Sequence, residues 1–352
     1  MPFKRYHLGN VWRGEKPQVG RYREFMQCDF DTIGTTSMTS DIETALVIND
    51  LMRAIGFENF TVCVNNRKVL NGLLEKFGLL ESSVEVLRAI DKLPKIGGEK
   101  VAEELRDKTA ANEEQINSIL GLADLTGDNQ SILSQLDTMA AGSELAETGV
   151  AELRQLIEAT RAVGIEDSHL KLDVSIARGL DYYTGTIFET FLGDLPSIGS
   201  VCSGGRYDNL ADMFTKQELP GIGASLGLDR LLAAMEQLEM IAPVRTTADV
   251  MIVQFDANDL NRYLQIAADL RKAGIRVEVF PAAKKLKAQL KYAERRGFPM
   301  VIVAGSDELQ SNQVQLKLME QRETKEAISL EDGAAALVDL ISQSLERPLP
   351  TR

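Results

Sequence analysis

The opening of the chain commits it to an antiparallel sheet. Residues 2–9 and 11–15 are strand-like, a loop containing Pro17 and Gly20 covers 16–20, and residues 25–32 form a second strand-like run. Two such runs joined by so short a loop make a long hairpin, and the remaining strands must be laid beside it. The hairpin starts at residue 2 with no turn, cap or linker ahead of it, and the expectation is that further sequence precedes it.

Apolar residues then recur at helical spacing over 41–55, residues 60–64 read as a short strand, and 67–77 read as a second helix. The pattern is α+β. Residues 82–164 contain no aromatic residue and show helical periodicity, most clearly at 112–122 and 150–163. Residues 81–166 hold 8 basic against 17 acidic side chains, which is most of the net charge of −13. A mostly helical insertion over 81–166 is expected, splitting a body made of 1–80 and 167–241. Within 167–241, strands are expected at 170–176 and 186–191, a turn at 205–210, and over 221–240 a strand feeding an amphipathic helix. Residues 242–247, with Pro243 among them, form a linker. Strand and helix patterns alternate from 248 to 352, predicting a small α/β domain with a largely parallel sheet.

Composition narrows the setting. No run of 18 apolar residues and no charged, then apolar leader is present, so no membrane span is expected and the cytoplasm is the expected compartment. Cys28, Cys63 and Cys202 are too widely spaced for a zinc pattern and too few for a disulfide framework. The acidic balance argues against nonspecific coating of nucleic acid, but charge is unevenly spread. Residues 248–352 balance 15 basic against 15 acidic side chains, and Lys284, Lys285, Lys287, Lys291, Arg295 and Arg296 face a single acid, Glu294. That cluster suits RNA phosphates, or is simply a solvated helix face.

Four segments carry candidate chemistry. The hairpin stretch 11–25 places Arg13, Glu15, Arg21 and Phe25 close together, offering guanidinium forks for phosphate oxygens and an aromatic face for a base. The stretch 178–189 sets Arg178 and the adjacent Tyr182 and Tyr183 among glycines, as a polar small-molecule pocket would need. The paired Gly204 and Gly205 before Arg206 and Tyr207 permit close backbone approach. The glycine-rich run 221–230 ends at Arg230 near a helix start, where a phosphate is favoured. Each segment alone also reads as something bland: a solvated turn, a tyrosine-bearing loop or a packing device.

In this order, however, the four resemble class II aminoacyl-tRNA synthetases. The hairpin is similar to motif 2, the run ending at Arg230 is similar to motif 3, and the two segments between them resemble the signature peptides of histidyl-tRNA synthetases. The resemblance covers essentially the whole chain. It implies an α+β catalytic domain with an antiparallel sheet of the class II synthetase type (1–80 and 167–241), the helical insertion, and a C-terminal α/β anticodon-binding domain (248–352). It implies ATP with Mg2+, histidine and histidine tRNA as substrates, and a homodimer for the full-length protein. Arg13 and Arg178 would be catalytic, with Arg13 on the α-phosphate, Glu15 on the adenine amino group, Phe25 on the purine, and Arg21 with Arg230 on the γ-phosphate. Gln27 and Asp31, on one face of their strand, would reach histidine together with Tyr183, and Tyr182, Gly204, Gly205 and Tyr207 would line its pocket. Arg178 would hold the substrate carboxylate. The family more often has Glu where Asp31 stands. Lys284, Lys285, Lys287 and Lys291 would meet tRNA, and no protein-held metal is expected. The family's motif 1 and its loop for the substrate amino group belong ahead of motif 2, so the 352 residues by themselves are expected to form no histidyl adenylate. The rival readings are a histidine-sensing regulatory relative and a tRNA-binding pseudo-synthetase without ATP binding.

Overall fold

The computed structural model describes residues 2–14, 16–90, 92–123, 125–176, 182–241 and 246–345. The chain forms two compact units, Met1–Ile241 and Ala242–Arg352.

The first unit is built on a seven-stranded sheet. Its strands are β1 (Phe3–Trp12), β2 (Glu24–Ile33), β3 (Phe60–Asn66), β4 (Leu170–Leu172), β5 (Thr186–Leu192), β6 (Cys202–Arg206) and β7 (Gly221–Gly227). The spatial order is β1-β2-β7-β6-β5-β3-β4, antiparallel throughout except for the parallel β3–β4 pair. The expected hairpin is present, paired from Phe3 with Ile33 to Trp12 with Glu24. Along β2 the even residues Cys28 and Phe30 pack on the core, so the odd residues Phe25, Gln27, Asp29 and Asp31 face the other way.

The helices of this unit are α1 (Met38–Ile55), α2 (Arg67–Lys76), α3 (Ser83–Ile90), α4 (Leu93–Ile96), α5 (Gly98–Lys108), α6 (Glu113–Ala123), α7 (Asn129–Ala140), α8 (Glu144–Ala162) and α9 (Leu228–Gln237). The start of α1 is set by Ser37, whose hydroxyl accepts from the Thr39 amide, and its end by Gly56 at φ 100°. Its Ala45, Ile48 and Met52 are fully buried against the sheet. Helices α2 and α8 cross with backbones almost touching: a Cβ on Gly72 would lie 2.4 Å from the Ala146 nitrogen, and one on Gly149 would lie 2.7 Å from the Val69 nitrogen. Side chains of the segment expected as an insertion, including Val86, Leu105, Leu133 and Leu156, belong to the same buried cluster as Val62 and Phe188 of the sheet.

Two local expectations are corrected. Residues 173–176 do not continue β4, because Asp173 turns the chain by accepting from the amide and hydroxyl of Ser175 at 3.0 and 2.6 Å. The expected turn at 205–210 begins later, because Gly205 and Arg206 still belong to β6 and the turn falls at 208–209; a Cβ on Gly204, inside the same strand, would meet the Gly223 carbonyl at 2.2 Å.

The second unit has strands β8 (Val250–Ile252), β9 (Val277–Val279), β10 (Met300–Val303), β11 (Gln313–Leu318) and β12 (Glu323–Ser329), with helices α10 (Leu260–Lys272), α11 (Leu286–Arg296), α12 (Ser306–Gln310) and α13 (Glu331–Ser344). The order is β12-β11-β10-β8-β9. Only β8–β9 and β8–β10 are parallel, and β11 runs antiparallel to both β10 and β12, so the sheet is mixed rather than largely parallel. Val250 and Ile252 face one buried cluster, shared with α10 and α13; Met251 and Val253 face a second, shared with α11. Burial on both faces explains why the β8 and β10 segments read as continuous apolar runs.

Candidate active site

The odd face of β2 and its neighbours forms the floor of a cavity of about 1380 Å³ in the first unit. Register lines up Asp29 with Ser225, Ser225 with Ser203, and Ser203 with Glu189, a polar row across four strands. The Ser225 hydroxyl donates to Asp29 at 2.5 Å.

The connection between β1 and β2 folds over one side. Arg13 donates its amide to the Arg23 carbonyl at 2.8 Å, and its guanidinium lies 5.3 Å from the centroid of the Phe25 ring. Gln18 and Arg21 exchange backbone hydrogen bonds at 2.9 Å, closing the tip. Gly20, at φ 67°, lies where a Cβ would come within 3.2 Å of the Arg230 Cα, so the tip is seated on α9. The Met26 amide donates to Asp229 at 2.7 Å, fastening β2 to the same helix, and Arg230 donates to the Ser200 carbonyl. Arg13, Arg21, Phe25 and Arg230 therefore line one cavity, although β1 and α9 lie more than two hundred residues apart in sequence.

Gln27, Tyr182, Tyr183 and Gly204 line the same cavity. The Tyr182 and Tyr183 rings meet edge to face at 4.8 Å, and Tyr182 approaches Tyr207 at 6.2 Å. Asp31, Gly205 and Tyr207 stand in the layer beside the wall. Tyr207 donates its hydroxyl to Asp31 at 2.5 Å, and the other Asp31 oxygen accepts from Arg5 Nε at 2.9 Å. Asp31 can lie across β7 because its register partner is Gly223, where a Cβ would stand 2.2 Å from its oxygen. A side chain on Gly205 would run into the Tyr183 ring at 3.0 Å. Burial pushes the phenols of Tyr183 and Tyr207 up from their ordinary value, helped at Tyr207 by the Asp31 hydrogen bond, so both stay neutral donors at physiological pH. Glu15 and Arg178 lie outside the described residues.

Several wall residues were not singled out from sequence. Ser203, Ser225 and Glu189 could have been found from strand parity once β5, β6 and β7 were paired. Arg88 on α3, Lys92 at the start of α4, and Glu104 and Lys108 on α5 close the cavity, and no local pattern marks them. Glu104 accepts from Lys92 at 2.5 Å and Lys108 at 2.6 Å, and the bonds from Lys108 and Lys92 hold its carboxyl below the usual range. In the second unit, Lys284, Lys285, Lys287 and Lys291 are all exposed, at the start of α11 and along it, with the Lys284 ammonium 6.0 Å from the Phe280 ring centroid. Among the described residues no group of three or more His, Cys, Asp or Glu side chains could hold a metal ion, and no helix is long and apolar enough to cross a membrane.

An antiparallel sheet carrying an arginine-rich hairpin, a tyrosine wall and a strand-to-helix arginine, followed by a mixed α/β unit, is the arrangement of an aminoacyl-tRNA synthetase. The profile described as histidyl-tRNA synthetase matches residues 2–231, and that described as anticodon binding domain matches 240–340. A histidine–tRNA ligase of Rhodopirellula baltica is 53% identical over 340 residues, covering 97% of this chain and 77% of that protein. One from Wolinella succinogenes is 45% identical, covering 96% and 77%. The crystal structure of histidyl-tRNA synthetase from Nostoc sp. PCC 7120 superposes with a TM-score of 0.70 at 32% identity, over 97% of this chain and 78% of that one. The chain belongs to the histidyl-tRNA synthetase family.

Proposed function

We propose that this chain attaches histidine to its tRNA in two steps, with ATP as the energy source and magnesium travelling on the triphosphate as part of that substrate. The observation that carries the reading is the convergence of Arg13, Arg21, Phe25, Gln27, Tyr182, Tyr183 and Arg230 on one cavity, in a chain of this family. In the first step a carboxylate oxygen of histidine attacks the α-phosphorus, the bond to the bridging oxygen breaks, and pyrophosphate leaves. In the second, the ribose hydroxyl at the tRNA end attacks the carbonyl carbon of the adenylate and AMP leaves. Both steps need positioning and charge stabilisation more than a strong base.

Phe25 stacks on the purine and Glu15 takes its amino group. Arg13 and Arg178 hold the α-phosphate, Arg178 also holding the carboxylate, and Arg21 and Arg230 take the γ-phosphate. Gln27, Tyr182, Tyr183, Gly204, Gly205 and Tyr207 surround the amino acid. An ionised carboxylate has about four lone-pair sites; Asp31 gives one to Arg5 and one to Tyr207, leaving capacity to accept from an imidazole N–H while Tyr183 donates to the other ring nitrogen. The tRNA is held in addition by Lys284, Lys285, Lys287 and Lys291. Residues 81–166 are read as a helical insertion and 242–247 as a linker, and the protein as a cytoplasmic homodimer.

The test is exchange of labelled pyrophosphate into ATP by the protein. Exchange that requires histidine and is not supported by other amino acids is expected. tRNA binding with no exchange and no ATP binding would establish the binding-only reading instead.

A further inference from the structure

The site face of β6 is turned toward the cavity, but the residue between Gly205 and Tyr207 points the opposite way. Arg206 is 3% exposed and its partner Asp41, in the first turn of α1, is 0% exposed. The guanidinium donates to both Asp41 oxygens, to Asp208 at 3.0 Å, to the Thr35 carbonyl at 3.0 Å and to the Ser37 carbonyl at 3.4 Å. Asp41 also accepts from the Thr186 hydroxyl at 2.7 Å. The chain after β2, the start of α1, the start of β5 and the end of β6 thus meet on one ion pair.

The same pair reaches the tyrosine wall through the backbone. The Arg206 carbonyl accepts from the Thr184 amide at 2.8 Å, while the Thr184 hydroxyl donates to Asp208 at 2.8 Å and accepts from the Asp208 amide at 3.1 Å. Thr184 directly follows Tyr183, and Arg206 directly precedes Tyr207, whose hydroxyl fixes Asp31. Gly185 leaves the room this needs, since a Cβ there would stand 3.0 Å from the Arg206 Cδ.

Burying two opposite charges is poor value as stabilisation, because desolvation offsets most of the attraction and apolar replacements commonly hold a fold as well. A buried polar network with every donor matched does define one geometry. We infer that Arg206, with Asp41 and Thr184, is a positioning network for the amino-acid pocket: it sets Tyr183 and the Tyr207–Asp31 pair from beneath the sheet without touching substrate. The inference rests on the proposed histidine pocket.

The experiment measures histidine-dependent pyrophosphate exchange by the protein, with KM for histidine and for ATP determined separately and thermal melting followed in parallel. Thr184→Val removes the hydroxyl links without burying a charge, and Arg206→Lys keeps the charge but loses the planar fork. Both are expected to raise KM for histidine by about 10- to 100-fold, the size of effect a misplaced binding group produces, with KM for ATP within about twofold. The melting temperature of Thr184→Val should match the wild type. If Arg206→Lys does not fold, Thr184→Val decides alone. An active wild type whose variants change both KM values equally, or neither, overturns the positioning role. A wild type with no histidine-dependent exchange overturns the functional reading itself, and the inference with it.

Discussion

The crossing of α2 and α8 makes a prediction whose sign depends on packing. Gly→Ala inside a helix ordinarily stabilises by about 1 kcal/mol through propensity. At Gly72 the new methyl would stand 2.4 Å from the Ala146 nitrogen and 2.9 Å from its Cα, against about 3.4 Å for ordinary contact, and neither backbone atom can rotate away. The helices must part by about 1 Å, which forfeits up to about half the dispersion energy of the contacts that loosen, among them those of Leu73, Val150 and Leu153. Overpacking of this kind costs about 3 kcal/mol at the upper end of its usual range. Subtracting the propensity gain leaves a destabilisation of about 2 kcal/mol for Gly72→Ala. For a unit of this size that lowers Tm by about 4–8 °C. Gly121, in α6, has nothing within 4 Å of its would-be Cβ, so Gly121→Ala should raise Tm by about 2–4 °C. Thermal melts of the two variants side by side are the assay. A Gly72→Ala protein that melts at or above the wild-type temperature refutes the close crossing.

Three further outcomes are expected. Arg230→Ala removes a charged donor from the cavity, and since a hydrogen bond to a charged group is worth about 1.5–3 kcal/mol, kcat/KM for ATP in pyrophosphate exchange should fall at least about tenfold; an unchanged value removes Arg230 from the phosphate site. Because Lys108 and Lys92 hold Glu104 below its ordinary pKa of 4.5, their contribution to stability is present above that pH and lost as pH falls through the lower folded value. The Tm gap between wild type and Glu104→Gln should accordingly be open at about pH 6 and close on acidification; a gap independent of pH contradicts the pairing. Lys287→Ala and Lys291→Ala should each reduce the salt dependence of tRNA binding by about one phosphate contact without affecting histidine activation, and a slope identical to wild type would reduce α11 to a solvated face.

What could be read without coordinates depended on how local the physics was. The opening hairpin and α1 announce themselves because strand-like runs, a short loop and helical spacing are each encoded within a few residues, although the Ser37 cap, which starts α1 at Met38 rather than at 41, was not read. Strand β12 did not, since its sequence ETKEAIS carries only one well-buried apolar residue, Ile328, and its pairing comes entirely from β11. Gly204 and Gly205 could be read as allowing close approach but not what approaches, and Gly205 was placed in a turn, because the reason for them lies on other segments: the backbone of β7 and the Tyr183 ring. Candidate cavity residues were legible from the order of four motifs, yet not the occupancy of Asp31 by Arg5 and Tyr207, nor the Arg206–Asp41 pair, whose partners stand 165 positions apart. A charged side chain in a strand carries no mark of facing inward until its neighbour is known.

The strand order also sets a timetable. On a ribosome the β1–β2 hairpin is complete by Ile33, but its hydrogen-bonding neighbour β7 does not begin until Gly221. At about 5–20 residues per second that leaves the free edge of β2, with Met26, Cys28 and Phe30 beside it, waiting roughly 10 to 40 s for its partner. An unpaired edge for that long is an invitation to other nascent chains. Arg13 and Arg230 come to line one cavity only when the last strand docks, so substrate can stabilise the finished unit but none of its precursors.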